Sequence, residues 1–184
     1  MAVRLLGISG SLRKASFNTA LLAHAAANTP DDVTLETVTL HDIPPYSGDI
    51  EAEGLPQTVT SLAEKIRAAD GVLISTPEYN YSVSGVLKNA IDWLSRVENQ
   101  PFAKKPVAIM GASMGGQGTS RAQYHLRQIF VFLDARPVNK PEVFVAAAHT
   151  KFDDSLDLTD EDTGKFALQL VDALAEAARA KAQS

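Results

Sequence analysis

The segment VRLLGISGSLRKASFN, residues 3–18, leads from a largely apolar run into a loop rich in serine and basic residues. The run over residues 3–8 predicts a buried strand of a parallel sheet. A helix is expected to begin near Asn18, with Asn18 or Thr19 as its cap. Strand, polar loop and helix together form the repeating unit of an α/β fold. The loop fits neither the P-loop pattern nor the dinucleotide pattern with three glycines.

The rest of the chain repeats this strand-then-helix order. Residues 41–57, rich in proline, glycine and acid, are expected to form a loop. The last helix is expected to start at Thr159, where Thr159 and Asp162 resemble a capping box. Alternation of strands and helices predicts a parallel sheet with helices on both faces. Further strands are predicted at 33–40, 71–76, 106–110 and 143–147, and further helices at 57–69, 83–97 and 119–134.

Composition limits the possible functions. A chain of 184 residues predicts a single domain, 1–184, and its net charge of −5 argues against a nucleic-acid partner. The chain has no cysteine, which excludes disulfides and thiolate chemistry, so a redox protein of this sequence needs a bound cofactor. The four histidines are far apart in sequence, and no metal site is expected. Because neither a secretory signal nor a membrane-spanning run is visible, a cytoplasmic location is expected.

Three unusual loops each follow the end of a predicted strand: residues 9–18, 76–85 and 111–118. In an open α/β sheet, ligands bind at the carboxyl ends of the strands. The three loops are therefore expected to meet at one site.

The first loop has the chemistry of an anion site. It leads into a helix N-terminus, where free backbone N–H groups and the helix dipole favour negative charge. Its serines add neutral donors, and Arg13 adds a planar cation suited to phosphate. A polar turn that only caps the helix is the alternative. The presence of Arg13 and the position of the loop after the first strand favour phosphate binding.

The other two loops suit a planar ring. TPEYNYSVSG, residues 76–85, offers flat apolar surface together with backbone polar groups. Tyr79 and Tyr81 packing over a sheet edge is an equal alternative, and Glu78 has either solvent or the ligand as its neighbour. In GASMGGQG, residues 111–118, glycines allow close approach of the backbone, and Ser113 can donate to a ring carbonyl. A flexible turn is the alternative there.

The helix over residues 119–134 is apolar on two sides. Leu126 and Phe130 belong to the side expected to meet the sheet, whereas Tyr124, Val131 and Phe132 lie on another side. A second apolar side in a small α/β domain indicates a subunit contact, and Trp93 on the preceding helix is a further candidate. A wider buried stripe on each helix is the alternative.

Together the motifs resemble the NAD(P)H-dependent FMN reductase family, and most closely its bacterial quinone and chromate reductase branch. The motifs are SGSLRKASFN (9–18), TPEYNYSVSGVLKNAIDWLSR (76–96), the Ser-Met-Gly-Gly turn at 113–116, YHLRQIFVFLDA (124–135) and NKPE (139–142). The resemblance implies a flavodoxin-like three-layer sandwich whose five-stranded parallel sheet has the order 2-1-3-4-5. It also implies noncovalently bound FMN at the point where the strand order reverses.

The resemblance assigns roles by position. The FMN phosphate would be surrounded by Ser11, Arg13, Ser16, Phe17 and Asn18. The flavin ring would be lined by Pro77, Glu78, Tyr79 and Asn80, largely through backbone groups, and closed by Ser113 and its neighbour Gly115. Family members are dimers or pairs of dimers. Arg121, Tyr124 and Glu142 stand where the related branch links dimers into tetramers.

The implied activity is a ping-pong oxidoreduction. NADPH or NADH reduces the flavin and leaves, and a small-molecule acceptor takes its place. A quinone is the expected acceptor, with azo compounds, chromate or free flavin as alternatives. No catalytic side chain is expected, because the flavin carries the chemistry. An electron carrier of the flavodoxin type, a reductase that supplies reduced FMN to a partner enzyme, and a regulatory flavoprotein are the rival functions.

Overall fold

A computed structural model of the chain describes residues 2–183, so both ends of the predicted 1–184 domain lie outside the described part. Strands and helices alternate along most of the chain. The strands are β1 (Val3–Ser9), β2 (Val33–Val38), β3 (Gly71–Ser75), β4 (Glu78–Tyr79), β5 (Ser82–Val83), β6 (Pro106–Ala112), β7 (Arg136–Pro137) and β8 (Val143–Val145). The helices are α1 (Phe17–Ala27), α2 (Gly48–Glu53), α3 (Gln57–Ala68), α4 (Gly85–Leu94), α5 (Ser120–Phe132) and α6 (Glu161–Ala182).

Strand β1 is central in the sheet and explains the apolar run at the start of the sequence. It pairs in parallel with β2 on one side and with β3 on the other. Val3 and Leu5 belong to one hydrophobic core, whereas Leu6 and Ile8 belong to the other. Successive side chains of a strand point to opposite faces. A strand covered by helices on both faces therefore needs apolar residues in succession.

Two cores separate the sheet from two helical layers. The core on one face contains buried residues of α1 and α6, and the core on the other face contains buried residues of α3, α4 and α5. The predicted three-layer α/β sandwich is confirmed.

The sheet order agrees with the prediction, except that the fifth position is shared by two short strands. The order is β2-β1-β3-β6-β7, and β8 also pairs with β6, so the parallel sheet has six strands. β7 pairs with β6 at Pro106 and Val107, and β8 pairs with it from Met110 to Ala112. Pro141, between β7 and β8, has no N–H to donate to a strand ladder. Because both β7 and β8 pair with β6, the predicted five-stranded sheet is corrected to six strands.

Two helix starts differ from the predictions. Ser16 caps α1 by accepting the Thr19 N–H at 3.2 Å, in place of Asn18 or Thr19. Asp160 caps α6 by accepting the Thr163 N–H at 2.9 Å, in place of Thr159. Hydrogen bonds from Thr163 and Lys151 lower the pKa of Asp160 to about 2, so its carboxylate remains charged.

Two short elements were not predicted. Helix α2 lies inside the expected loop 41–57 and has only six residues, too few for a helical period. Strands β4 and β5 form an antiparallel hairpin between β3 and α4. The helix expected from Val83 begins at Gly85, because Val83 pairs with Glu78 and Ser84 caps α4. The same helix ends at Leu94, three residues before the predicted end at 97. The other predicted boundaries agree with the structure to within two residues.

Trp93 corrects a further expectation. Its side chain is fully buried inside the protomer, and its Nε1–H donates to the Pro44 carbonyl at 2.8 Å. The ring also makes an edge contact with Tyr46. Trp93 therefore joins α4 to the segment before α2 and does not reach a surface where a second subunit can bind.

Residues 2–183 have neither a membrane-spanning helix nor a cluster of metal-ligating side chains. No helix there combines the length and the apolar character that crossing a bilayer requires. The same residues contain no group of three or more His, Cys, Asp or Glu placed to hold a metal ion.

Candidate functional site

The three loops meet where β1, β3 and β6 end. The register pairs Ser9 with Ser75 and Ser75 with Met110, so the carboxyl ends of these strands are level. A cavity of about 210 Å³ opens between the loops. Nine predicted residues line it: Ser11, Arg13, Ser16, Phe17, Asn18, Pro77, Glu78, Tyr79 and Ser113. Ala112 and Met114 line it too and were not predicted. Met114 was visible inside the glycine-rich motif, whereas nothing in the sequence distinguished Ala112.

The first loop presents hydroxyl, amide and guanidinium donors. Ser11 Oγ accepts the Arg13 N–H at 3.3 Å, and Ser16 Oγ accepts the Thr19 N–H. Each serine hydroxyl keeps its own proton for a ligand. The first-turn amides of Phe17 and Asn18 have no partner within the helix. The Arg13 guanidinium is exposed and lies 5.9 Å from the centre of the Phe17 ring. This donor set suits a phosphate.

Asn18 has a role that its sequence position did not reveal. Its Oδ1 accepts from Ala112 N–H at 2.9 Å and from Ser75 Oγ at 3.2 Å, and its Nδ2 donates to Ala112 O at 2.9 Å. The buried amide therefore ties α1 to the ends of β3 and β6. It lies in the cavity wall, and one of its two N–H donors remains for a ligand.

The second loop is the β4–β5 hairpin. Its two tip residues, Asn80 and Tyr81, have φ angles of 50° and 67°. Two successive residues in this left-handed region match the two-residue hairpin turn that follows the natural twist of strands. Asn80 is thus at the tip, outside the residues that line the cavity, whereas Pro77, Glu78 and Tyr79 border the cavity.

Helix α5 holds this hairpin in place. Glu78 Oε2 accepts the Ala122 N–H at 3.0 Å, and Glu78 Oε1 lies 3.6 Å from Arg121 Nη1. The Arg121 guanidinium also stacks over the Tyr81 ring at 4.0 Å. Ser82 Oγ and His125 Nδ1 add a hydrogen bond of 3.0 Å. The Glu78 carboxylate therefore caps the start of α5, and Glu78 also lies among the residues that line the cavity.

The third loop is anchored by the chain that follows β8. Ser113 N–H donates to Val145 O at 2.9 Å, and Ser113 O accepts the Ala148 N–H at 3.0 Å. Ser113 Oγ accepts the Gly115 N–H at 3.1 Å, so its hydroxyl proton is free to donate to a ligand. Gly115 lies in this turn, outside the cavity wall. A Cβ at Gly111 would lie 2.2 Å from the Thr76 carbonyl oxygen, which explains glycine at the end of β6.

The residues expected at subunit contacts have partners within their own protomer. The Tyr124 hydroxyl donates to Glu142 at 2.9 Å, and Lys140 Nζ donates to the other carboxylate oxygen at 3.0 Å. The bonds from Lys140 and then Tyr124 lower the pKa of Glu142, and the bond to Glu142 raises the pKa of Tyr124. Tyr124 is half exposed, and Val131 and Phe132 on the same helix are more than three-quarters exposed.

Fold and site define a class of protein. It is an α/β sandwich with a small-molecule cavity at the carboxyl edge of a parallel sheet. At this cavity the 9–18 loop, whose donors suit a phosphate, faces the β4–β5 hairpin, which suits a planar ring. The family model described as NADPH-dependent FMN reductase matches residues 3–150. The chain belongs to this family.

Individual relatives are consistent with this family assignment. The chain is 51% identical over 172 residues to an NAD(P)H-dependent FMN reductase of Pseudomonas aeruginosa, covering 94% of this chain and 93% of that protein. It is 51% identical over 153 residues to a quinone reductase of Escherichia coli, covering 82% and 81%. The solved structure of FerB, an NAD(P)H:(acceptor) oxidoreductase from Paracoccus denitrificans, superposes with a TM-score of 0.81 at 33% identity, covering 96% and 97%.

The attachment of the hairpin to α5 yields a first prediction. Replacing Glu78 with Ala removes the acceptor of the Ala122 N–H and the anion beside Arg121. The free energy of unfolding should fall by about 1–2 kcal/mol, and amide hydrogen exchange over residues 78–83 should accelerate. Glu64→Ala, at an exposed position of α3, is the control. Unchanged exchange in the hairpin of the Glu78 variant would contradict the role assigned to this carboxylate.

Proposed function

We propose that this chain is an FMN-dependent oxidoreductase that uses NADPH or NADH to reduce quinones. The observation that carries the proposal is the meeting of the 9–18 loop and the β4–β5 hairpin around one cavity. One side offers donors for a phosphate and the other a backbone edge for a ring. Family membership and the names of the relatives, FMN reductases and quinone reductases, support the same activity.

The chain's own residues bind and orient the cofactor. Arg13, with the hydroxyls of Ser11 and Ser16, holds the phosphate. The backbone of residues 77–79 and the Ser113 hydroxyl border the ring. When bound, FMN would supply the two-electron chemistry between NAD(P)H and the acceptor, and no side chain is assigned a catalytic role. The cavity of about 210 Å³ is smaller than usual ligand pockets, so part of a bound flavin would extend beyond it and be open to a second reactant.

The hairpin contributes preorganisation. Its twist is fixed by the two left-handed tip residues and by its contacts with α5. Backbone dipoles that are already oriented stabilise charge that develops on a bound ring, without reorganising during the reaction. The hairpin backbone performs this role, and the contacts with α5 keep that backbone in position.

A further part of the proposal concerns assembly and location. Tyr124, Val131 and Phe132 form an exposed apolar strip on α5, which we propose as the contact between subunits of a homodimer or a pair of dimers. Glu142 accepts a hydrogen bond from Tyr124 in this strip, and Arg121 lies one turn before Tyr124 on the same helix. Both residues would then lie near the subunit boundary. The protein would act in the cytoplasm, on NAD(P)H produced there.

Arg13 provides the test of phosphate binding. Arg13→Ala should raise the dissociation constant of FMN about tenfold, because it removes a charge-assisted contact. The measurement is the change in FMN fluorescence when apoprotein is added. Arg136→Ala is the control, since Arg136 is also cationic and exposed, pairs with Asp134, and lies beside the first residue of β6, at the opposite end of that strand from the cavity. Equal FMN affinity in both variants would contradict the assignment of residues 9–18.

The activity is tested by an anaerobic absorbance titration of the FMN-bound protein. NADPH or NADH should bleach the flavin absorbance, and a benzoquinone should restore it. A flavin that both dinucleotides leave oxidised would favour an electron carrier or a regulatory flavoprotein. A flavin that is reduced but leaves the protein on gel filtration would favour a reductase that supplies reduced FMN to a partner.

The proposed subunit contact is tested at Phe132. Phe132→Glu places a charge on the apolar strip and should shift the mass measured by light scattering toward the monomer. The structure of the protomer should be unaffected, because Phe132 is 85% exposed. Ile50→Glu, an exposed apolar position on α2, is the matched control. An unchanged mass for the Phe132 variant would overturn the role of α5 in assembly.

A further inference from the structure

A second groove adjoins the cofactor cavity. It has a volume of about 490 Å³ and runs between the outer face of α1 and residues 155–158. Ser16 lines both the groove and the cofactor cavity, so the two adjoin at the start of α1. The volume is within the range of small-molecule sites, and the residues that hold the flavin do not account for it.

The floor of the groove is flat and apolar. Ala20, Ala23 and Ala27 follow one another at helical spacing along the same face of α1. Leu156 and Leu158, both half-buried, form the opposite wall. Alanine side chains leave a shallow slot with no branches projecting into it. A planar aromatic base is the kind of group that such a slot accommodates.

The polar groups of the groove have opposite charges. Lys14 is exposed at the end nearest the cofactor cavity, and within residues 2–183 its ammonium forms no ion pair. The Asp157 carboxylate, exposed on the far wall, likewise has no cationic partner among the described residues. A cation binds phosphate, and a carboxylate accepts hydrogen bonds from ribose hydroxyls.

His24 adds a neutral polar group to the floor. It is half-buried, and burial lowers the pKa of its imidazole. The ring is therefore neutral at physiological pH and has both a donor and an acceptor nitrogen. Asn28, which caps the C-terminus of α1, lines the groove one turn beyond His24. Both side chains can exchange hydrogen bonds with the polar edge of a base.

We propose that this groove binds the adenosine 5′-phosphate half of the nicotinamide dinucleotide. Lys14 contacts phosphate, the alanine floor accepts the adenine, and Asp157 accepts a ribose hydroxyl. The inference rests on the proposed function, because a nicotinamide placed on the flavin puts the other half of the dinucleotide outside the cofactor cavity. Because Ser16 borders both sites, a dinucleotide that reaches from the flavin to the groove would pass the start of α1.

The test uses ADP, which lacks the nicotinamide and so reports on the groove alone. Binding of ADP to the FMN-bound protein is measured by calorimetry. Lys14→Ala removes the cation, and Ala23→Leu fills the floor. Each should weaken ADP binding about fivefold and raise the KM for NADPH and NADH similarly, while kcat and the quinone KM remain unchanged.

Matched controls remove the same groups elsewhere. Lys88→Ala deletes a cation from α4 on the opposite face of the sheet, and Ala180→Leu enlarges an exposed alanine near the end of α6. Neither should change ADP binding. Thermal unfolding of the Ala23 variant should match that of the wild type, because Ala23 is exposed.

Two outcomes would overturn the inference. Either ADP fails to bind the FMN-bound wild type, or it binds the Lys14 and Ala23 variants as tightly as the wild type. In both cases reduction of the wild-type flavin by NADPH or NADH would leave the proposed function standing. Weaker ADP binding in the two groove variants, together with a flavin that neither dinucleotide reduces, would support the groove and overturn the proposed activity.

Discussion

The buried amide of Asn18 is the contact on which the site depends. Through hydrogen bonds to Ala112 and Ser75, one side chain joins the first helix to the ends of two strands. A buried amide left without these partners would lose several hydrogen bonds at once, at a cost of about 1–3 kcal/mol for each unsatisfied group. The contact therefore fixes where α1 begins relative to the sheet. That position decides where the 9–18 loop meets the other two loops.

The two helical layers have different functions around this point. On one side, α1 follows the 9–18 loop directly and forms the floor of the adjoining groove. On the other side, α5 holds the hairpin through Glu78 and Arg121 and exposes an apolar strip through Val131 and Phe132. The hairpin beside the cavity and the exposed apolar strip thus depend on the same helix.

Rigid backbone is the common feature of the three loops. The first is fixed by serine hydroxyls and a helix cap, the second by a left-handed turn and contacts with α5, and the third by hydrogen bonds to residues 145–148. The chemistry of a flavoprotein comes from its cofactor, so the protein's contribution is orientation and electrostatics. Loops fixed in this way supply both, with little need for reactive side chains.

The sequence patterns alone predicted the fold class and the three loops that form the site, and the family resemblance implied the strand order. Apolar runs such as 3–8 and 71–76 report burial on both faces of a strand, which is a local property with a clear pattern. Most cavity residues, from Ser11 to Ser113, could be identified because their chemistry and their place after a strand are both readable. The family resemblance then gave that chemistry a cofactor.

The tertiary structure decided what depends on contacts between distant segments. The family resemblance assigned Asn18 and Glu78 to the cofactor, and the place of Trp93 on its helix suggested a subunit contact. No local pattern indicated that their side chains bond to Ala112, Ala122 and Pro44, respectively. The split of the fifth strand and the groove beside α1 likewise depend on distant residues coming together. Local sequence patterns record burial and capping preference, whereas partners separated by tens of residues are fixed only when the chain is folded.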